Sequence, residues 1–149
     1  MSGDEVPVAS SFDWRDDMPD QCPPNQAHFG DGSEFFRFIS KGDEKDPVCK
    51  KDFVLPRDIP RKEPIPDDKL CSFSALSVFK DAGDLELMRD FVPGFRKKRV
   101  AKGGISPQHG LIINSPQPAG KSEHIMLSHY DWWVPLDVFP ERFFEVVAI

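Results

Sequence analysis

A chain of 149 residues, 39% hydrophobic and 30% charged, can bury a core of its own, and no apolar run in it approaches the ~20 residues of a membrane-spanning helix. A net charge of −6 argues against bulk attraction to nucleic acid, which needs a basic face. Three cysteines, Cys22, Cys49 and Cys71, form no Cys-x-x-Cys pair, which predicts reduced thiols and a cytoplasmic setting.

Residues 1–33 are rich in Ser, Asp, Pro and Gly and are expected to be irregular, with Phe12 and Trp14 packing on the body. Met1-Ser-Gly-Asp-Glu5 is polar and acidic and opens no signal peptide. The first predicted strand, 34–40, is aromatic and β-branched with Arg37 at its middle. Residues 43–69 mix charge with Pro47, Pro56, Pro60, Pro64 and Pro66. Proline removes backbone donors, so this stretch reads as a long surface excursion, exposed to protease, and not as a packed element.

Residues 71–79 read as a second strand, with Phe73, Ala75, Ser77 and Phe79 on one face. Asp81 is placed to cap a helix over 82–92, whose stripe is Leu85, Met88 and Val92 beside Leu87 and Phe91. Pro93-Gly94 stops it. Arg96-Lys-Lys-Arg99 is expected on a solvated edge, with anion binding the weaker reading. A strand beginning at 99–101 is expected to break at Gly103-Gly104. Further strands are predicted at 110–115, 123–134 and 143–149. Strands outnumber helices and the connections are short, so the predicted class is α+β: a mainly antiparallel sheet with one principal helix, in a single domain over 34–149.

No nucleotide-binding, metalloprotease or serine-hydrolase signature is present. The strand at 123–134 gathers His124, His129, Tyr130, Asp131, Trp132 and Trp133. His129 and Asp131 share a face, whereas His124 falls on the other, so this strand alone does not close a metal site. Cys71 is a nucleophile only if a histidine lies beside it, and a buried, inert cysteine is the commoner case. Arg37, set among Phe35, Phe36 and Phe38, needs a partner if buried. That partner is an internal carboxylate, from Glu123, Asp131 or Glu145, or a phosphate or carboxylate ligand held by its forked donors. Ser72, Ser74 and Ser77 supply hydroxyls nearby in sequence.

Phe35-Phe-Arg-Phe38, Leu76-Ser-Val-Phe-Lys-Asp-Ala82, Lys102-Gly-Gly-Ile-Ser-Pro-Gln-His-Gly-Leu-Ile112, His129-Tyr-Asp-Trp-Trp-Val-Pro135 and Phe144-Glu-Val-Val147 together resemble a family of small bacterial proteins of unassigned activity. The resemblance covers roughly residues 22–149 outside the proline-rich excursion. More distantly, the chain is similar to ADP-ribosyltransferase-type domains. That likeness implies NAD held by an early-strand arginine, here Arg37, with Ser77 on the strand before a helix. The acidic candidates are Glu123, Glu141 and Glu145, and none sits in a Gln/Glu-x-Glu motif.

Two functions are therefore expected. The first is a cytoplasmic bacterial binding module that docks a protein partner through exposed aromatics such as Trp132 or Trp133, without a cofactor or metal. The second is a NAD-utilising enzyme. The candidate ligand-binding residues are Arg37, Ser77, His129, Tyr130, Asp131 and Trp132.

Overall fold

Aromatic and β-branched runs build a seven-stranded sheet whose strands are all antiparallel to their neighbours. A computed structural model describes residues 12–43, 45–119 and 122–149, with the side chains of 118–125 outside the described set. The expectations on residues 1–11, and on the side chains of Glu123 and His124, lie outside the described residues. In chain order the elements are β1 (His28–Phe29), β2 (Glu34–Lys41), helix α1 (Leu70–Phe73), β3 (Leu76–Phe79), helix α2 (Ala82–Phe91), β4 (Lys98–Gly104), β5 (Leu111–Asn114), β6 (Gln117–Ala119), β7 (Ser122–Leu127), β8 (His129–Trp133) and β9 (Glu145–Val147). The main sheet runs β1-β5-β8-β3-β2-β4-β9, and β6 pairs with β7 in a separate ribbon. The architecture is α+β, with α2 the principal helix.

Each face of the sheet carries a core, because side chains alternate along every strand. One face gathers Phe35, Ile39, Leu76, Val78, Ala101, Ile105, Ile112, Trp132 and Phe144. The other gathers Phe79, Val100 and Leu127 under Leu85 of α2, flanked by Phe36, Phe38 and Met88. Full burial of such a side chain contributes roughly 1.5–3 kcal/mol. Asp81 caps α2 as expected, its Oδ1 accepting from Gly83 N at 2.9 Å.

The structure corrects several expectations. Residues 70–73 form α1, and β3 begins only at Leu76, because the backbone turns through Ser74, whose amide donates to the Cys71 carbonyl. Gly103-Gly104 does not break β4. The ring of Phe144 lies where a Cβ on Gly103 would sit, so the glycine admits that aromatic against the strand. The expected single strand over 123–134 is two, β7 and β8, in different sheets. Trp132 and Trp133 are 0% and 2% exposed, because β8 is a central strand covered on both faces. Neither tryptophan can be the exposed docking aromatic.

The cysteine reading is also corrected. Cys22 and Cys71 are joined by a disulfide across 49 residues of chain, and Cys49 is free and exposed. The bond removes Cys71 as a nucleophile.

The proline-rich excursion is partly a packed element. Short 3-10 turns occupy Lys50–Phe53, Pro56–Asp58 and Asp67–Lys69, and Asp52 is 3% exposed. Its carboxylate accepts from Ser40 N at 3.1 Å, Ser40 Oγ at 2.6 Å and Cys49 N at 2.9 Å. Proline excludes ladder pairing but not docking by side chains. Arg99, expected on a solvated edge, is buried and donates to the carbonyls of Ser40, Asp43 and Asp46. Among the described residues no helix is long and apolar enough to cross a membrane.

Candidate functional site

Two concavities border β3, and their linings meet at Leu76. The larger is a groove of about 600 Å³ lined mainly by apolar side chains: Trp14, Met18, Leu55, Trp133, Leu136 and Val138 among them. Its wall at 12–18 is fixed to the body by backbone and ion-pair contacts. Leu136 N donates to the Asp13 carbonyl at 2.8 Å. Arg15 bridges Asp17 and Asp58, at 2.5 and 2.9 Å. Arg57 reaches the Asp17 carboxylate at 3.1 Å and the Ser74 hydroxyl at 3.0 Å.

These contacts set the charge at the rim. Hydrogen bonds donated to Asp58 and Asp17 hold the Arg15 guanidinium further into its charged form, and Arg15 in turn lowers the Asp17 carboxyl from its usual range. Arg15, Asp17, Asp58 and Arg57 thus face one another, while Asp16, also in the lining, stands outside these pairs. Trp133 turns its indole N–H to the Cys71 carbonyl at 3.0 Å, so the ring meets the groove as an apolar surface. Leu136, at the lip, is 58% exposed.

The second concavity is a cleft of about 380 Å³. It exists because β2 and β3 pair only at Phe36 and Phe79 and then diverge. Arg37 and Ser77 both line it, with Phe38, Phe79, Met88 and Phe95 as apolar walls and Lys98 and Gln117 among the polar lining. Arg37 spans the gap. Its Nη1 donates to the Ser77 carbonyl at 2.9 Å, and its Nε and Nη2 both donate to the Asp52 carbonyl, at 3.1 and 2.9 Å. The Phe53 ring lies 5.4 Å from the guanidinium. No carboxylate among the described residues pairs with Arg37, so neither Asp131 nor Glu145 is its partner. Burial lowers its pKa to about 10, with the Asp52 charge opposing, and the group stays charged at neutral pH.

Behind the cleft lies a polar chain that register alone explains. Ser77 stands opposite Asp131 and Phe79 opposite His129, so Ser77, His129 and Asp131 share a face. His129 Nε2 is 2.9 Å from Ser77 Oγ, and its Nδ1 is 2.9 Å from both the carbonyl and the hydroxyl of Ser115. A carbonyl only accepts, so Nδ1 carries the proton and the Ser77 hydroxyl donates to Nε2. Burial pushes His129 below the usual imidazole range, opposed by the Ser115 carbonyl and Asp131. Burial likewise raises Asp131, against the pull of His129 and the Ser115 hydroxyl.

The remaining candidates serve the core. Tyr130 packs edge-on against Phe35 at 5.1 Å, and Trp132 donates its indole N–H to the His109 carbonyl at 2.9 Å. Ser72 bonds the Lys69 carbonyl and Ser74 the Leu70 carbonyl, so of the three serines only Ser77 enters the cleft. Sequence reasoning missed Trp14, Leu136 and the groove between them, and it missed Ser115. The groove joins segments about 120 residues apart, and no local pattern signals such a meeting. Among the described residues, no three His, Cys, Asp or Glu side chains form a metal-ligand group.

Comparison with protein-family models, with curated proteins and with solved structures finds no match to this chain.

Proposed function

We propose that the protein is a binding module whose 600 Å³ groove receives an extended, uncharged apolar segment of a protein partner. The observation that carries this reading is the contrast between walls and rim. The walls are mainly aromatic and aliphatic, while Arg15 and Asp17 of the lining pair with each other and with Asp58 and Arg57 beside it, leaving the lining residue Asp16 outside these pairs. A charged ligand gains little from a rim already paired, whereas an apolar one gains from leaving water. The volume lies within the range of sites that bury a ligand rather than merely touch it, roughly 300–1,000 Å³. Aromatic-lined grooves of this kind suit proline-containing or aliphatic extended peptides.

In this reading the protein is an accessory component of a bacterial system, the setting its resemblance implies. Disulfides persist under oxidising conditions, so the Cys22–Cys71 bond favours such a compartment over the reducing cytoplasm. The NAD-utilising alternative has Arg37 and Ser77 in one cleft but no glutamate among the described residues lining it.

The test is selection from a random peptide display library on immobilised full-length protein. Enriched peptides should be apolar and should bind Leu136→Asp at least tenfold more weakly than wild type. Enrichment of charged peptides, or equal binding to Leu136→Asp, would remove the groove from the account.

A further inference from the structure

We infer that Ser77 is an activated nucleophile, with His129 as its general base, and that the 380 Å³ cleft accepts small carboxylic esters or thioesters. A serine hydroxyl is a weak nucleophile until a base takes its proton. Here the base is in place. The bare Nε2 of His129 lies 2.9 Å from Ser77 Oγ, within reach for proton transfer. The opposite nitrogen is anchored on the Ser115 carbonyl, which fixes both tautomer and ring orientation. Asp131, on the same face, supplies negative charge behind the ring.

Access and charge agree with this assignment. His129 is 2% exposed and shielded from solvent, whereas Ser77 is only partly buried and lines the cleft. The Arg37 guanidinium contacts residue 77 through its carbonyl and faces no carboxylate among the described residues. Three of its N–H groups are engaged, out of the five that a guanidinium carries. The guanidinium leaves β2 on the face of Phe35 and Ile39, so its charge acts on the cleft through the residue 77 backbone and not by direct donation beside Ser77 Oγ. Phe38, Phe79, Met88 and Phe95 give an apolar wall for the acyl chain.

The chemistry closes on these groups. His129 Nε2 takes the Ser77 proton as Oγ bonds to the acyl carbon and the carbonyl electrons move to oxygen. The intermediate collapses, the bond to the alcohol or thiol breaks, and the leaving group takes the proton from Nε2. Water then repeats the sequence on the acylated serine and releases the carboxylic acid.

The experiment treats the full-length protein with a fluorophosphonate and reads the adduct by intact mass and peptide mapping. Hydrolysis of p-nitrophenyl acetate and butyrate is followed in parallel. Wild type should carry one adduct, on Ser77, and Ser77→Ala should carry none while still unfolding cooperatively. Ester hydrolysis should fall at least a hundredfold in Ser77→Ala and in His129→Gln. If His129→Gln fails to fold, the pH profile of wild-type labelling serves instead, and it should follow deprotonation of one group below the ordinary imidazole range. No adduct, an adduct at another residue, or equal hydrolysis by Ser77→Ala would overturn the inference. None of these outcomes bears on the groove, whose described lining shares Leu76 alone with the cleft.

Discussion

Arg37 is joined to Asp52 through the backbone and not through an ion pair: two of its nitrogens share the Asp52 carbonyl while the Asp52 carboxylate turns to Ser40 and Cys49. The arginine thereby ties β2 to the Lys50–Phe53 turn, and through the Ser77 carbonyl to β3. A planar fork is needed for two bonds to one oxygen. Arg37→Lys keeps the charge but loses that fork. Each hydrogen bond to a charged group contributes about 1.5–3 kcal/mol, so the unliganded protein should melt several degrees lower. NAD should leave both melts unchanged. A wild-type melt raised by NAD, with the rise lost in Arg37→Lys, would restore the NAD-utilising alternative.

The second prediction concerns pH. Burial holds His129 and His109 below their ordinary 6.5. An imidazole depressed in this way contributes stability that is complete above pH 6.5 and is lost as pH falls towards its folded value. Asp131 works in the opposite sense, since a carboxyl raised from 3.8 penalises folding increasingly as pH rises above 3.8. With two histidines against one carboxyl, the melting temperature should decline from pH 7.5 to 5.5. The decline should be shallower in His129→Gln. A flat or rising wild-type profile over that interval would show that these rings are not held neutral.

How much of this was legible in the sequence differs by element. The α2 helix and its Asp81 cap were readable, because a cap and a 3.6-residue stripe are local signals. The β2 strand was readable for the same reason. The β4 strand was misjudged at Gly103, where the deciding neighbour is Phe144, about 40 residues away. That Arg37 and Ser77 share a cleft was anticipated in kind. The bond from Ser77 to His129 was not, because it depends on the register of β3 against β8. His129 and Asp131 were placed on one face, and the hydrogen bonds of His129 go to Ser77 and to the hydroxyl and backbone carbonyl of Ser115.

The disulfide gives a third prediction. Under denaturing, non-reducing conditions one thiol per chain should react with Ellman's reagent, that of Cys49. Closing a loop across 49 residues stabilises the fold by about 4 kcal/mol in the chain-entropy picture. Reduction should therefore lower the melting temperature markedly, and Cys22→Ser should reproduce the effect. Three reactive thiols in protein purified without reductant would refute the pairing and restore the cytoplasmic expectation.

Limited trypsin digestion separates the two halves of the excursion. Arg57 is held by Asp17 and Ser74, and Lys50 and Lys51 flank the buried Asp52. Residues 60–64 are exposed, so the first cut should fall at Arg61 or Lys62 and not at Lys50, Lys51 or Arg57. Early cleavage at Lys50 or Lys51 would mean that the Asp52 anchor is not formed.

The binding reading meets its most direct test in calorimetry. A peptide enriched on the wild-type protein is titrated at several temperatures into wild type and into Leu136→Asp. Burial of apolar surface on binding carries a negative heat-capacity change. The account predicts that negative value for wild type, little dependence on salt, and a loss of at least tenfold in affinity for Leu136→Asp. A heat-capacity change near zero, or binding that weakens steeply with salt and ignores Leu136→Asp, would contradict an apolar partner seated between Trp14 and Leu136.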